Sequence, residues 1–139
     1  MKAIIQDSRR FLLRFDKDEE VFSCLLKFIK EQGIGACVFF GIGAASAVEL
    51  GFFNPFLKSY RKKPFVEELE IVSITGNAGL SENEPVMHAH GSFGRNDFSL
   101  IGGHVFKLTV GITCEIFLLK LDGALQRAKN EEFDLDLLV

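Results

Sequence analysis

Apolar and polar positions along this chain fall into two periods, one of about two residues and one of about 3.6. The segment "RRFLLRFD" is strand-like and predicts an opening strand over Arg9–Phe15. Asp16 or Asp18 is then placed to cap a helix. In "DEEVFSCLLKFIKEQG" the apolar residues Val21, Phe22, Leu25, Leu26, Phe28 and Ile29 form a helical stripe. Glu19 and Glu20 suit the first turn of that helix, Lys30 its end, and Gly33 its stop.

The remainder reads almost entirely as strands. Ala36–Phe40 predicts a buried strand, broken by Gly41 and Gly43, and Ala47–Phe53 predicts another. The Gly-Ile-Gly lacks the third glycine and the following helix of a nucleotide-binding loop. It is read as close backbone packing at a strand junction. "NPF" and "RKKPF" are turn or edge signals. "FVEELEIVSITGNAGL" is strand-like, with β-branched residues at Val66 and from Ile71 to Thr75, and "SENEP" is a turn. "VMHAHGSF" and "FSLIGGHVFKLTVGITCEIFLLKL" add strands on either side of "GRND". The tail "NEEFDLDLLV" alternates and predicts a strand or extended arm with Phe133, Leu135 and Leu137 on one face. The sum is one α+β domain over residues 1–139, with a central, mainly antiparallel sheet and one main helix.

Composition narrows the function classes. Fifteen phenylalanines in 139 residues, with no Trp and one Tyr, exceed what a small core hides easily. Some are expected at a subunit interface. The net charge of -3 argues against coating nucleic acid by bulk electrostatics. The one basic cluster, "KSYRKKPF" over Lys58–Phe65, is read as a solvated connection between strands, with a weak phosphate-contacting patch as the alternative. Cys24, Cys37 and Cys114 are isolated in apolar runs, which fits free buried thiols in a reducing cytoplasm. "MKAIIQDSRR" is too short and polar for a signal peptide, and no apolar run approaches the roughly 20 residues that span a bilayer, so no membrane partner is expected.

All three histidines lie in "MHAHGSFGRNDFSLIGGH", as His88, His90 and His104. A hairpin centred near Asn96 places His88 opposite His104 and His90 opposite Gly102. Even spacing keeps the three imidazoles on one face of the sheet. Such a trio suits Zn²⁺, Ni²⁺, Co²⁺ or Cu²⁺ rather than Mg²⁺ or Ca²⁺. The competing reading is three polar strand residues with no ligand. A slip of one residue moves His104 to the other face. No general base is committed by spacing. Glu115 falls on the opposite face, Asn96 and Asp97 sit at the hairpin tip, and Glu49 and Glu70 lie in other strands. Ser92 shares the histidine face without signs of activation.

The order of these segments resembles the plants-and-prokaryotes-conserved (PPC) domain. The resemblance rests on "LEIVSITGN" (Leu69–Asn77), His-Ala-His (His88–His90), Gly-Gly-His (Gly102–His104), the upstream "GIGAASAVELGFFNP" and the closing "FDLDLLV", and runs from about Arg9 to Val139. It implies an α+β fold assembled as a homotrimer. It also implies a divalent metal on His88, His90 and His104, as in prokaryotic members with all three, and the three-His ligand set makes zinc the foremost choice. Plant members are nuclear and DNA-associated, with AT-hooks ahead of the domain and partner binding through it. This chain has no Arg-Gly-Arg-Pro hook, and Glu67 and Glu68 replace the Gly and Arg of the plant hexapeptide. Two functions stand from this reading. One is a cytoplasmic trimeric binding module, DNA- or transcription-associated by family, with DNA or a regulatory protein as partner. The other is a metal-dependent enzyme of hydrolase or lyase type.

Overall fold

The computed structural model describes residues 1–139. The elements run β1 (Lys2–Gln6), β2 (Arg10–Asp16), α1 (Val21–Glu31), β3 (Cys37–Asn54), β4 (Ser59–Phe65), β5 (Leu69–Ser81), β6 (Glu84–Gly94), β7 (Leu100–Lys120), β8 (Arg127–Asn130) and β9 (Leu135–Leu138). The fold is α+β, mainly antiparallel sheet with a single helix. Seven strands lie in the order β1-β2-β7-β6-β5-β3-β4, and β7 also pairs with β3, so the sheet closes on itself. All the strand ladders are antiparallel. β8 and β9 form a separate hairpin.

The helix forms where its apolar stripe is. Val21, Phe22, Leu25, Phe28 and Ile29 are buried, and Phe28 meets Phe11 of β2 edge-on at 5.3 Å. Its cap differs from the expectation. Asp16 is engaged by Lys2 and Arg14, and Asp18 takes a left-handed φ of 68°. The Glu20 carboxylate caps instead, accepting from Phe22 N (3.2 Å) and Ser23 N (2.8 Å). It also accepts from Leu108 N at 3.1 Å, which ties the helix start to β7. At the other end Gly33 (φ 58°) donates to Lys30 O and Ile34 donates to Ile29 O, the paired bonds of a Schellman stop.

Further expectations are corrected or extended. The two strands foreseen around Gly41 and Gly43 are one 18-residue strand, β3. The glycines become bulges within it, because a Cβ at Gly43 (φ 151°) would sit 2.2 Å from Thr113 O of β7. The basic cluster is an edge strand, β4, rather than a connection, and its Pro64 is tolerated there because an edge leaves one row of amides unpaired. β1 adds an unforeseen edge strand to β2. The acidic-apolar tail forms a strand as expected, β9, but it pairs back on β8 as a hairpin, with Phe133 in the turn instead of on that strand.

The core is a cluster of 26 buried residues, drawn from the inner faces of the strands and from α1, with Phe15, Phe39 and Phe93 its largest fully buried side chains. Cys37 and Cys114 are buried and Cys24 partly so, all three free. Burial pushes the Cys37 thiol up to about 11 and the Cys114 thiol to about 12, so neither is a ready nucleophile. Several other phenylalanines stay outside. Phe40 and Phe117 stack at 5.3 Å on the outer surface beside Val38, Ile42 and Leu119, all at least 37% exposed. No helix is long and apolar enough to cross a membrane.

Candidate metal centre

β6 and β7 bring the histidines together. His90 stands directly opposite His104, Gly91 opposite Gly103 and Ser92 opposite Gly102. The expected pairing of His88 with His104 is therefore off by two positions, while the shared face is preserved. The hairpin turn explains the shift. Arg95 and Ser99 close it, Phe98 N donates to Arg95 O, and Phe98 takes a φ of 64°. The loop is therefore centred on Asp97, with a phenylalanine in a left-handed position more often given to glycine.

The ring centroids of the three histidines lie 5.1, 5.2 and 5.5 Å apart. A ring nitrogen from each falls within 4.8 Å of the others. Nε2 of His88 and Nε2 of His90 are 3.2 Å apart. Two nitrogens on one tetrahedral zinc, each about 2.0–2.1 Å from it, sit about 3.3 Å apart, so this spacing fits a common ion. Nδ1 of His104 is buried and has no hydrogen-bond partner, so nothing in the fold competes with an ion for that atom. Burial, then the neighbouring His88, His90 and Lys62, hold His104 down to about 4. Burial, then His90 and Arg127, lower His88. Both are therefore neutral at pH 7, the form that donates a lone pair to a metal.

Side chains from β4, β7 and the C-terminal hairpin shape the surroundings. Tyr60 of β4 and Phe106 of β7 lie against His104, with centroids 4.9 and 4.5 Å away. These rings reach it across Gly51, the residue that pairs with His104 on β3. A Cβ there would stand 2.4 Å from Phe106 and 2.9 Å from Tyr60. The Lys62 ammonium covers Phe106 at 3.8 Å and lies 4.0 Å from Glu49. On the other side the C-terminal hairpin contributes Arg127, whose Nη2 donates to Asn77 Oδ1 at 2.7 Å. Asn77 pairs with His88 in the β5–β6 ladder. Arg127, Asp136, His88 and His104 line one cavity of ≈ 220 Å³.

Sequence reasoning found the three ligand candidates but missed Tyr60, Phe106, Asn77, Arg127 and Asp136. Period-two spacing does put Phe106 on the His104 face, two residues along β7, but it carries no signal for a wall built from β4, β5 or the C-terminal hairpin. The acids considered from sequence do not converge on the histidines. Glu115 pairs with Arg14 and Ile42 at the far end of β7, and Glu70 lines a groove with Val72 and Leu100. Glu49 faces Lys62, and Asp97 accepts from Ser99 N in the hairpin turn.

No curated protein matches the chain, but solved structures do. A candidate DNA-binding protein of Bacteroides thetaiotaomicron superposes with a TM-score of 0.93 at 28% identity, over 97% of this chain and 94% of that one. A metal-containing protein of Archaeoglobus fulgidus is 34% identical with a TM-score of 0.89, over 100% of this chain and 99% of that one. A plant- and prokaryote-conserved (PPC) protein of Pyrococcus horikoshii is 32% identical, again at 0.89, over 94% and 91%. The model of the Plants and Prokaryotes Conserved (PCC) domain matches residues 4–122, which take in the closed sheet and all three histidines. With a family match of that extent and relatives aligned over nearly the whole chain, the protein belongs to the Plants and Prokaryotes Conserved domain family.

Proposed function

We propose that this chain is a single-domain, cytoplasmic, self-associating metal-binding module, with His88, His90 and His104 as ligands to one divalent transition ion, zinc foremost. The observation that carries the reading is the convergence of three ring nitrogens within 4.8 Å on one sheet face. The 34%-identical metal-containing protein supports it. Three imidazoles leave a fourth position of a tetrahedral ion open to water or ligand. Elemental analysis of protein purified without a polyhistidine tag tests the site. One equivalent of metal is expected in the parent and a large loss in His88→Ala and in His104→Ala. Metal retained by both variants at the parental level refutes the assignment.

The outer apolar face of Val38, Phe40, Ile42, Phe117 and Leu119 supports self-association, and a homotrimer is the state proposed. Light scattering at micromolar concentration checks it, and a monomer mass refutes it. Association with DNA is carried by the relatives named for it and by the cations Arg61, Lys62 and Lys63 on exposed β4. Binding to duplex DNA that weakens steeply with salt is expected, and a flat titration removes the DNA role.

A second reading, a metal-dependent enzyme of hydrolase or lyase type, is favoured by one specific observation. The cavity beside His88 and His104 is lined by one basic residue, Arg127, and one acidic residue, Asp136. A bound divalent ion would supply Lewis acidity there. The chain's own contribution would be to orient a ligand with Arg127 and to move a proton at the Asp136 carboxylate.

A further inference from the structure

We propose that the cavity between the histidines and the C-terminal hairpin binds a small carboxylate-bearing molecule, with its carboxylate on Arg127 and its other end directed at the three histidines. The inference rests on the metal reading above.

Charge is the first argument. Imidazole ligands bring no negative charge to a divalent ion, so the centre would keep its full 2+. Arg127 adds a further positive charge on the same cavity wall. No carboxylate of the chain neutralises it. Its Nη1 donates to the backbone oxygen of Asp136 at 3.0 Å and its Nη2 to the amide oxygen of Asn77. Its Nε is buried without a partner. Asp136, the one acid on the cavity wall, instead accepts from Ser81 Oγ through Oδ2 at 3.0 Å. A guanidinium fixed by two neutral acceptors keeps its charge uncompensated and its plane defined, the arrangement that suits an incoming carboxylate.

Shape and lining limit the ligand. At ≈ 220 Å³ the space lies below the roughly 300–1,000 Å³ of sites that take drug-sized ligands, and it suits a short acid. Val86, Met87, Leu135 and Leu137 give it apolar sides, which favour a carbon skeleton over inorganic phosphate. Arg127 also fastens the hairpin to β5 through Asn77, so a purely structural role must be separated from binding.

The test uses full-length protein loaded with Co²⁺, whose visible absorption reports its ligands, titrated with succinate, with its neutral diamide succinamide, and with inorganic phosphate. A saturable spectral change with succinate and none with succinamide is expected. Arg127→Gln should weaken succinate by about tenfold or more, and Arg127→Lys by less, as for loss of a charge-assisted hydrogen bond. Equal response to succinate and succinamide in the parent protein overturns the inference, and needs no variant to fold. So does unchanged succinate affinity in Arg127→Gln, or phosphate binding as tightly as succinate. Failure of the three histidines to bind Co²⁺ at all overturns the metal reading, and this inference with it. Co²⁺ bound without a succinate response overturns the inference alone.

Discussion

Replacing Gly51 by alanine would test whether the aromatic wall of the metal centre is built as described. Gly51 is buried on β3 and pairs with His104. Its missing side chain is what lets Phe106 and Tyr60 close over the strand. A Cβ would stand 2.4 Å from Phe106 Cε2 and 2.9 Å from Tyr60 Cδ1, against an ordinary carbon–carbon contact of about 3.5–4.0 Å. Phe106 must therefore retreat by roughly 1.1–1.6 Å and Tyr60 by roughly 0.6–1.1 Å. Overpacking of this kind costs about 1–3 kcal/mol. At about 2.1 cal/mol/K of unfolding entropy per residue, that lowers Tm by roughly 3–10 °C for a chain of 139 residues. The same displacement frees the His104 ring, whose Nδ1 has no hydrogen bond to hold it. Loss of outer support to a ligand costs about 10–100-fold in metal affinity. Thermal unfolding of the metal-free protein reads the first effect, and competition with a chromophoric zinc chelator reads the second. Gly51→Ala with parental Tm and zinc affinity within a factor of two would show that the rings are not packed against His104.

Three further outcomes follow from particular contacts. His104 is held down to about 4 from an ordinary 6.5, so the unfolded chain binds the extra proton between those values; metal-free stability should be full above pH 6.5, fall as pH drops from 6.5 to about 4, and lose no more to this group below that, and a urea midpoint that stays flat or rises on acidification across that window contradicts the burial of His104. Glu20→Ala removes the acceptor for Phe22 N, Ser23 N and Leu108 N and should cost about 1–3 kcal/mol by urea unfolding, with Glu20→Gln recovering part of the loss; equal stability of Glu20→Ala and parent refutes the cap. Phe40→Glu places a charge on the outer stack with Phe117, where Phe40 is 49% exposed, so the circular dichroism of the fold should persist while the light-scattering mass falls; an unchanged mass refutes the face as the contact.

What the sequence determined by itself was parity and local geometry. Period-two alternation fixes which face a strand residue takes, so His88, His90 and His104 had to share one, whatever the size of an even register error. The helix was legible because its stripe, its Lys30 and its Gly33 stop act within one or two turns of each other. The tertiary structure decided what depends on residues far apart in the chain. The two-position shift of the hairpin goes with a left-handed Phe98 in its turn, a conformation that no local pattern announces. Gly41 and Gly43 look like a strand break, yet pairing with β7 on one edge and β5 on the other carries β3 through them as bulges. Above all, the setting of the histidines comes from Gly51 opposite His104, Tyr60 on an edge strand and Arg127 on the C-terminal hairpin. Those residues meet only because the sheet closes through the β3–β7 ladder and the tail folds back over β5. Long-range pairing of this kind has no period in the sequence from which to read it.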